Sequence, residues 1–517
     1  MSTRNDRAGQ LAFGRLNEKK NAQDGEIASM RNLSVEEYPI IKSRSARLRK
    51  AFVSGDTAQD IVLLGTDGAK IFSITKTATT SESITTTVYK FNYDILSDVP
   101  DSVTLSYGSD LEKVTSYTVM GRKLLLAPIG ILIDLDKTGS VDGFTNLKSY
   151  TEDGAAEATA VFPDNIAYLC TCNNRMWGCT TDGEIYASKL GDAVHWLSTS
   201  DGLTTDSWSV DMGVAVNEPF TGCAVFNSRP VFFTETKAVT VYGDYPTTFS
   251  TYTNEVYGVM EGCNGSIAEV NNSLYYMSRW GFVRYNSGGS YLISDDLDIT
   301  PAQYRLSDYD TWRNTELPCC AGTDGKVYMA SVNCGGTWEN YVYDTETGLW
   351  AHEDETKFIQ FLRVSRNLFA MSEDGGTDYL YYLRGDMEEL EKFSFAYDTA
   401  QPDSESEYEK DFSLLFAPIF EDDDDDGFAS KKWLKFLRLR VWMDAPIGSQ
   451  AATMRVRVFY DGASDAGTDV TYTAKKSGWQ MAEIPCGNSY CDSYSIQLDF
   501  NQDFCLRAVA REYEIVR

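Results

Sequence analysis

Apolar and polar side chains alternate along most of this chain with a period of two, in short runs closed by Gly, Asn or Asp. That is the pattern of half-buried antiparallel strands joined by tight turns. From about residue 50 to 395 one unit recurs: a strand, a turn, and a second strand ending in an aromatic residue. It is read at residues 61–72 (IVLLGTDGAKIF), 123–134 (KLLLAPIGILID), 175–188 (RMWGCTTDGEIYAS), 229–243, 273–285 (SLYYMSRWGFVRY), 324–344 and 367–383. Asp67-Gly68, Asp182-Gly183 and Asp324-Gly325 supply hairpin turns, because Asp-Gly accepts the positive φ angles that such turns need. Helical periodicity is confined to a short stretch at 386–392 (DMEELEK). The recurring hairpin predicts an all-β fold, an irregular β-propeller of about seven blades, with an array of β-sandwiches as the structural alternative.

Two flanking regions break the pattern. Residues 396–428 are polar and end in the acidic run EDDDDDG at 421–427, an exposed linker or loop by composition. Beyond it, 433–442, 454–460, 479–484, 494–500 and 506–516 read as strands, and in the first two apolar residues alternate with Arg. One face is then buried and the other solvated or paired, which predicts a C-terminal β-sandwich over 429–517. At the other end, residues 1–50 carry spaced apolar anchors, among them Leu11, Phe13, Leu16, Met30, Leu33 and Ile41. The spacing suits an extended arm laid on a surface, with a disordered terminus as the alternative.

Charge sharpens the view of that arm. The 517 residues include 46 basic and 76 acidic side chains, a net charge of −30. Residues 1–50 hold 11 Lys/Arg against 6 Asp/Glu, or +5, leaving −35 for the rest. A basic arm on an acidic body predicts docking on a neighbouring copy or an acidic partner, with Arg44, Arg47, Arg49 and Lys50 as the contact residues. A surface this negative repels nucleic acid and anionic membranes, yet suits a conduit through which DNA slides without sticking. No stretch approaches the roughly 20 apolar residues of a membrane span, and the opening MSTRNDRAGQ has no hydrophobic core of a secretion signal, so expression and folding in a cytoplasm are expected.

Candidate chemistry changes this picture little. The eleven cysteines sit mostly inside apolar runs and read as buried free thiols; neither Cys170-x-Cys172 nor Cys319-Cys320 has zinc-ligand spacing. The two histidines, His195 and His352, lack a neighbouring nucleophile motif and read as structural. With 76 acidic residues, no carboxylate pair is singled out for glycoside hydrolysis. Asp134, Asp136, Thr138 and Asp142 around Gly139 resemble a calcium loop, since hard cations gather oxygen ligands about a glycine turn. Thr145 in place of Glu at the twelfth position excludes the EF-hand version, and an acidic hairpin turn is the alternative. No other cofactor is expected. Arg384-Gly385-Asp386 is an integrin-type tripeptide by letters only.

Several phrases, taken in order, resemble one group of proteins. FGRLN at 13–17 is followed by DGEI at 24–27, MRNLSVEEYP at 30–39 and RSAR at 44–47. IYASKLGD at 185–192 precedes Trp196; VYGDYP spans 241–246; YDTETGLW spans 343–350; and Cys491, 495–499 and 511–513 close the chain. This order resembles the tail stabilisation, tail accessory or nozzle proteins of short-tailed bacteriophages. The resemblance implies a virion structural protein without enzymatic activity. It would be assembled in the host cytoplasm into a hexameric ring below the portal or adaptor, carrying other tail parts and extending the DNA channel for ejection, with no membrane insertion. A second expectation is a carbohydrate-binding or depolymerising tail protein, with Trp177, Trp280, Trp338 and Trp350 either exposed on the rim or packed between blades. A third is a bacterial surface propeller, against which the missing signal weighs.

Overall fold

The computed structural model describes residues 4–516 except 20–22, 97–100, 106–110, 138–142, 151–160, 198–201, 302–316, 386–411, 421–430, 445–450 and some isolated positions. Seven four-stranded antiparallel sheets follow one another along the chain, at 60–105, 116–146, 166–211, 222–255, 268–292, 319–352 and 358–384. They are the blades of a propeller, numbered 1 to 7 below. Blades 1 to 6 take four consecutive strands each. Blade 7 takes three, and its fourth, outer strand is Leu48–Ala51, with Arg49 opposite Tyr381. The circle is thus closed by pairing residues from the two ends of the propeller sequence.

Burial explains why the hairpins were so legible. In blade 3, Ile166–Cys172 and Arg175–Thr180 are buried on both faces, whereas the outer strand Trp208–Asp211 is not. Inner strands packed between neighbouring blades read as apolar runs; outer ones meet water. The turns use residues that tolerate positive φ: Asn173 and Asn174 at 49° and 56°, and Asn271 and Asn272 at 48° and 55°, which suits two-residue hairpins.

The C-terminal sandwich is confirmed, with different boundaries. One sheet runs Leu33–Glu37, Ile40–Ser43, Phe504–Val516, Lys431–Met443, Gly478–Pro485, and Arg4–Leu11 also pairs with Phe504–Val516. The facing sheet runs Ile27–Arg31, Phe412–Phe416, Tyr494–Phe500, Thr453–Tyr460, Thr468–Thr473. The segment expected to be an extended arm therefore supplies four strands to the sandwich and one to blade 7. Its apolar anchors Leu11, Leu16, Met30, Leu33 and Ile41 are buried in the same core as Leu437, Val456 and Ile496. The sandwich also begins earlier than residue 429, because Phe412–Phe416 lies inside the stretch expected to be a linker. The acidic run at 421–427 and the candidate helix at 386–392 lie outside the described residues.

Sandwich and propeller share one hydrophobic core, which runs from the sandwich into blades 4 to 6. Asn32 donates its backbone N–H to the Glu353 carbonyl at 2.6 Å, fastening the sandwich to the end of blade 6. Among the described residues no helix is long and apolar enough to cross a membrane.

Candidate assembly site

The residues expected to dock a neighbour lie at the seam between sandwich and propeller. Arg44 and Arg47 follow the sandwich strand Ile40–Ser43 and are buried. Arg44 donates to Asp354 at 2.9 Å and to the Asn32 side chain at 2.8 Å. Arg47 donates to Asp354 at 2.9 Å, pairs with Glu353, and lies 4.8 Å over the Phe358 ring. Asn340 completes the cluster with a 2.8 Å bond to Asp354. Burial alone would raise the Asp354 carboxyl, but Arg47 and Arg44 outweigh it and hold the group well below the usual carboxylate range. The same balance drives Arg47 upward. Arg44 and Arg47 thus meet an acidic partner within their own chain, not a neighbouring copy. Arg49 lies 4.8 Å over the Tyr379 ring on blade 7. The Lys50 side chain is outside the described residues, while its backbone pairs with Leu380.

A second seam lies beside it. Glu18 of the N-terminal segment accepts a 3.2 Å bond from the Asp298 backbone and stands 3.4 Å from His352. His352 also pairs with Glu339 at 2.7 Å and stacks on Tyr341 at 4.7 Å. Burial would lower this imidazole, but Glu18 and Glu339 overcome it and hold the pKa near 9. His195 bonds Asp192 at 2.6 Å within one loop. Each histidine is thus engaged by carboxylates of its own chain.

At the candidate calcium turn, Asp134 pairs with Lys123 and Asp136 with Arg122 at 3.0 Å. Both described carboxylates are already matched by cations of this chain. Thr138 and Asp142 lie outside the described residues, and among those described no cluster of His, Cys, Asp or Glu could hold a metal. The Asp-Gly turns keep their role: the Asp67 carboxylate accepts the backbone N–H groups of Ala69 and Lys70 at 3.0 and 2.8 Å. The integrin-type tripeptide is employed otherwise, because Arg384 is held by Glu36 and Asp324.

Of the four tryptophans weighed for the rim, Trp177, Trp338 and Trp350 are buried. Trp177 donates to the Cys172 carbonyl and Trp350 to the Ile293 carbonyl, at 3.2 and 2.7 Å. Trp280 alone of the four is exposed, and its ring lies 5.3 Å from that of Tyr257. Sequence reasoning passed over Tyr257, whose signal would have been its place in a blade-to-blade connection. All eleven cysteines are free thiols, and eight are buried.

No protein-family model and no curated protein matches the chain. Among solved structures, it is similar to the β-propeller domain of the Trilobed protease from Pyrococcus furiosus, at 10% identity and a TM-score of 0.38, over 63% of this chain and 93% of that one. It is also similar to a chain of the mitotic checkpoint complex, at 11% identity and a TM-score of 0.37, over 66% and 96%. Pyrococcus horikoshii acylaminoacyl peptidase is similar at 9% identity and a TM-score of 0.39, over 65% and 54%. Likenesses this weak carry no inference of function. The propeller is established by the seven four-stranded sheets themselves.

Proposed function

We propose that the protein is a structural component of a tailed phage particle: a ring-forming nozzle or hub protein, below the portal or adaptor, that extends the DNA channel. The order of the phrases shared with such proteins motivates the reading. The observation that supports it is the acidic net charge. Arg44 and Arg47 are neutralised by Glu353 and Asp354, and Arg384 by Glu36 and Asp324. Beside such internal pairs, the sequence as a whole carries a net charge of −30. A net charge this negative repels DNA phosphates, which suits a wall past which DNA moves without being held.

A ring needs a head-to-tail contact between two different surfaces of the same chain. The N-terminal segment is folded into its own sandwich, so the reading assigns that contact to exposed blade edges and loops. The reading gives the protein no catalytic step and no cofactor. The glycan-binding reading is not favoured, because three of its four candidate tryptophans are buried.

The test is the solution mass of the purified protein with and without its portal or adaptor partner, followed by particle imaging. The expected result is a closed ring, hexameric by resemblance, either alone or on the partner. A monomer that ignores the partner would overturn the proposal.

A further inference from the structure

In a four-stranded antiparallel blade, the turn between the second and third strands and the connection to the next blade emerge on the same side. On that side of blades 3 to 5, four such elements are tied into one surface. They are the short helix Gly213–Val216, the turn at 234–236, the connection at 256–267 and the turn at Arg279 and Trp280. Lys237 donates to the Val216 carbonyl at 2.6 Å, and Thr236 bonds Glu218 at 2.8 Å. Val256 donates to the Thr236 carbonyl at 2.9 Å, Gly258 to the Glu235 carbonyl at 3.0 Å, and Arg279 pairs with Glu235 at 3.0 Å.

Apolar side chains stand out of this surface. Val214 is 96% exposed, Trp280 50% and Tyr257 41%. The two rings meet edge-on at an angle of 67°. Their backbone is anchored: Tyr257 N–H donates to Ser290 Oγ at 2.8 Å, and the Tyr257 carbonyl accepts the Tyr276 hydroxyl at 2.7 Å. A side chain in place of Gly258 would lie 2.0 Å from the Thr234 carbonyl oxygen, so the connection is seated tightly. Exposed Trp, Tyr and Arg on a rigid support are the residue types that dominate protein interfaces, since they bury much area at little entropic cost.

The charge around the rings selects the partner. Glu218, Glu235, Glu255 and Glu261 stand against Lys237 and Arg279 on or next to these elements, four carboxylates to two cations. Aromatic faces attract guanidinium and ammonium groups, and the carboxylates add to that attraction. Phosphates and acidic peptides meet repulsion here. A neutral sugar could stack on the rings but would gain nothing from the field.

We propose that this surface, centred on Tyr257 and Trp280, docks an extended cationic segment of a partner protein, with an Arg or Lys side chain laid against the rings. The proposal stands whether or not the chain closes a ring. The test is binding of a labelled peptide alternating Arg and Ser to the full chain, at about 0.15 M salt so that long-range attraction is screened. The wild type is expected to bind it and to ignore the matching Glu/Ser peptide. Trp280→Ala and Tyr257→Ala, which change no charge, are each expected to weaken binding about tenfold without moving the thermal midpoint. Glu235→Gln is expected to weaken it less. Equal binding by both alanine variants, no binding of the Arg peptide by the wild type, or capture of a neutral oligosaccharide through Trp280 would each overturn the proposal. Peptide binding without ring formation would leave this site standing and remove the channel reading.

Discussion

Arg47 and Asp354 are 307 positions apart in the chain and 2.9 Å apart in space, Nη1 to Oδ2. The pair, with Arg44 and Glu353, joins the sandwich end of the N-terminal segment to the link between blades 6 and 7. Removing one member of a buried pair leaves its partner charged, without solvent and without a match, at a cost of about 3–5 kcal/mol. Arg47→Ala is therefore expected to lower the thermal midpoint sharply. Arg47→Lys should recover only part of the loss, because an ammonium cannot reproduce a planar fork against two carboxylates. A double-mutant cycle with Asp354→Asn reads the coupling. Additive effects would show that the two side chains do not act as a pair.

His352 gives the stability of the seam a pH dependence with a defined sign. Its folded pKa is raised to about 9, above the roughly 6.5 of an unfolded chain. The protonated imidazole is favoured in the fold, so its contribution is complete below about pH 6.5 and lost as pH rises towards 9. Thermal midpoints across that window are expected to fall more for the wild type than for His352→Gln. Parallel curves would mean that Glu18 and Glu339 do not hold the charged form.

The strands that could be read in advance are those whose burial follows from their neighbours in sequence. Each of the seven recurring hairpins falls within one blade, because inner strands packed on both sides must be apolar. Outer strands such as Ser250–Glu255 and Gly289–Leu292 have no buried residue and carry no such signal. The fate of residues 1–50 was not legible for a different reason. Their apolar anchors announce burial but not the surface that covers them, and pairing such as Gly9 with Arg511 leaves no local trace. The basic excess of the segment was read as docking on a neighbouring copy or an acidic partner, whereas Arg44 and Arg47 are matched inside the chain. Their carboxylates there are Glu353 and Asp354, and the sequence carries no sign of that long-range match.

Residues 1–50 are accordingly expected to be needed for folding before they matter for assembly. A chain starting at residue 51 would lose four sandwich strands and most of the outer strand of blade 7. It would expose the edges of Phe504–Val516 and Phe412–Phe416, and exposed edges pair with other chains. The expected product is aggregated, or lacks a cooperative melting transition by circular dichroism. A soluble chain with a wild-type melting curve would return the segment to the role of a free arm.

The thiols offer a probe of the core that needs no substitution. Cys334, Cys486 and Cys505 are partly exposed, and the other eight cysteines are buried. Burial pushes even the three accessible thiols upward, Cys486 to about 12. Since the thiolate is the reacting species, native protein at pH 8 should titrate slowly with a disulfide reagent. No more than three equivalents should react before unfolding. In denaturant all eleven should react, because none is held in a disulfide. Cys263 and Cys319 lie in the core at blades 5 and 6, and Cys320 Sγ lies 3.1 Å from the Phe358 carbonyl of blade 7, so their labelling reports opening of blades 5 to 7. Adding the N-terminal change Arg47→Ala should quicken that labelling, if the clasp at Glu353 and Asp354 keeps blade 6 closed. Rapid reaction of more than three thiols in the native wild type would contradict the packing of these blades.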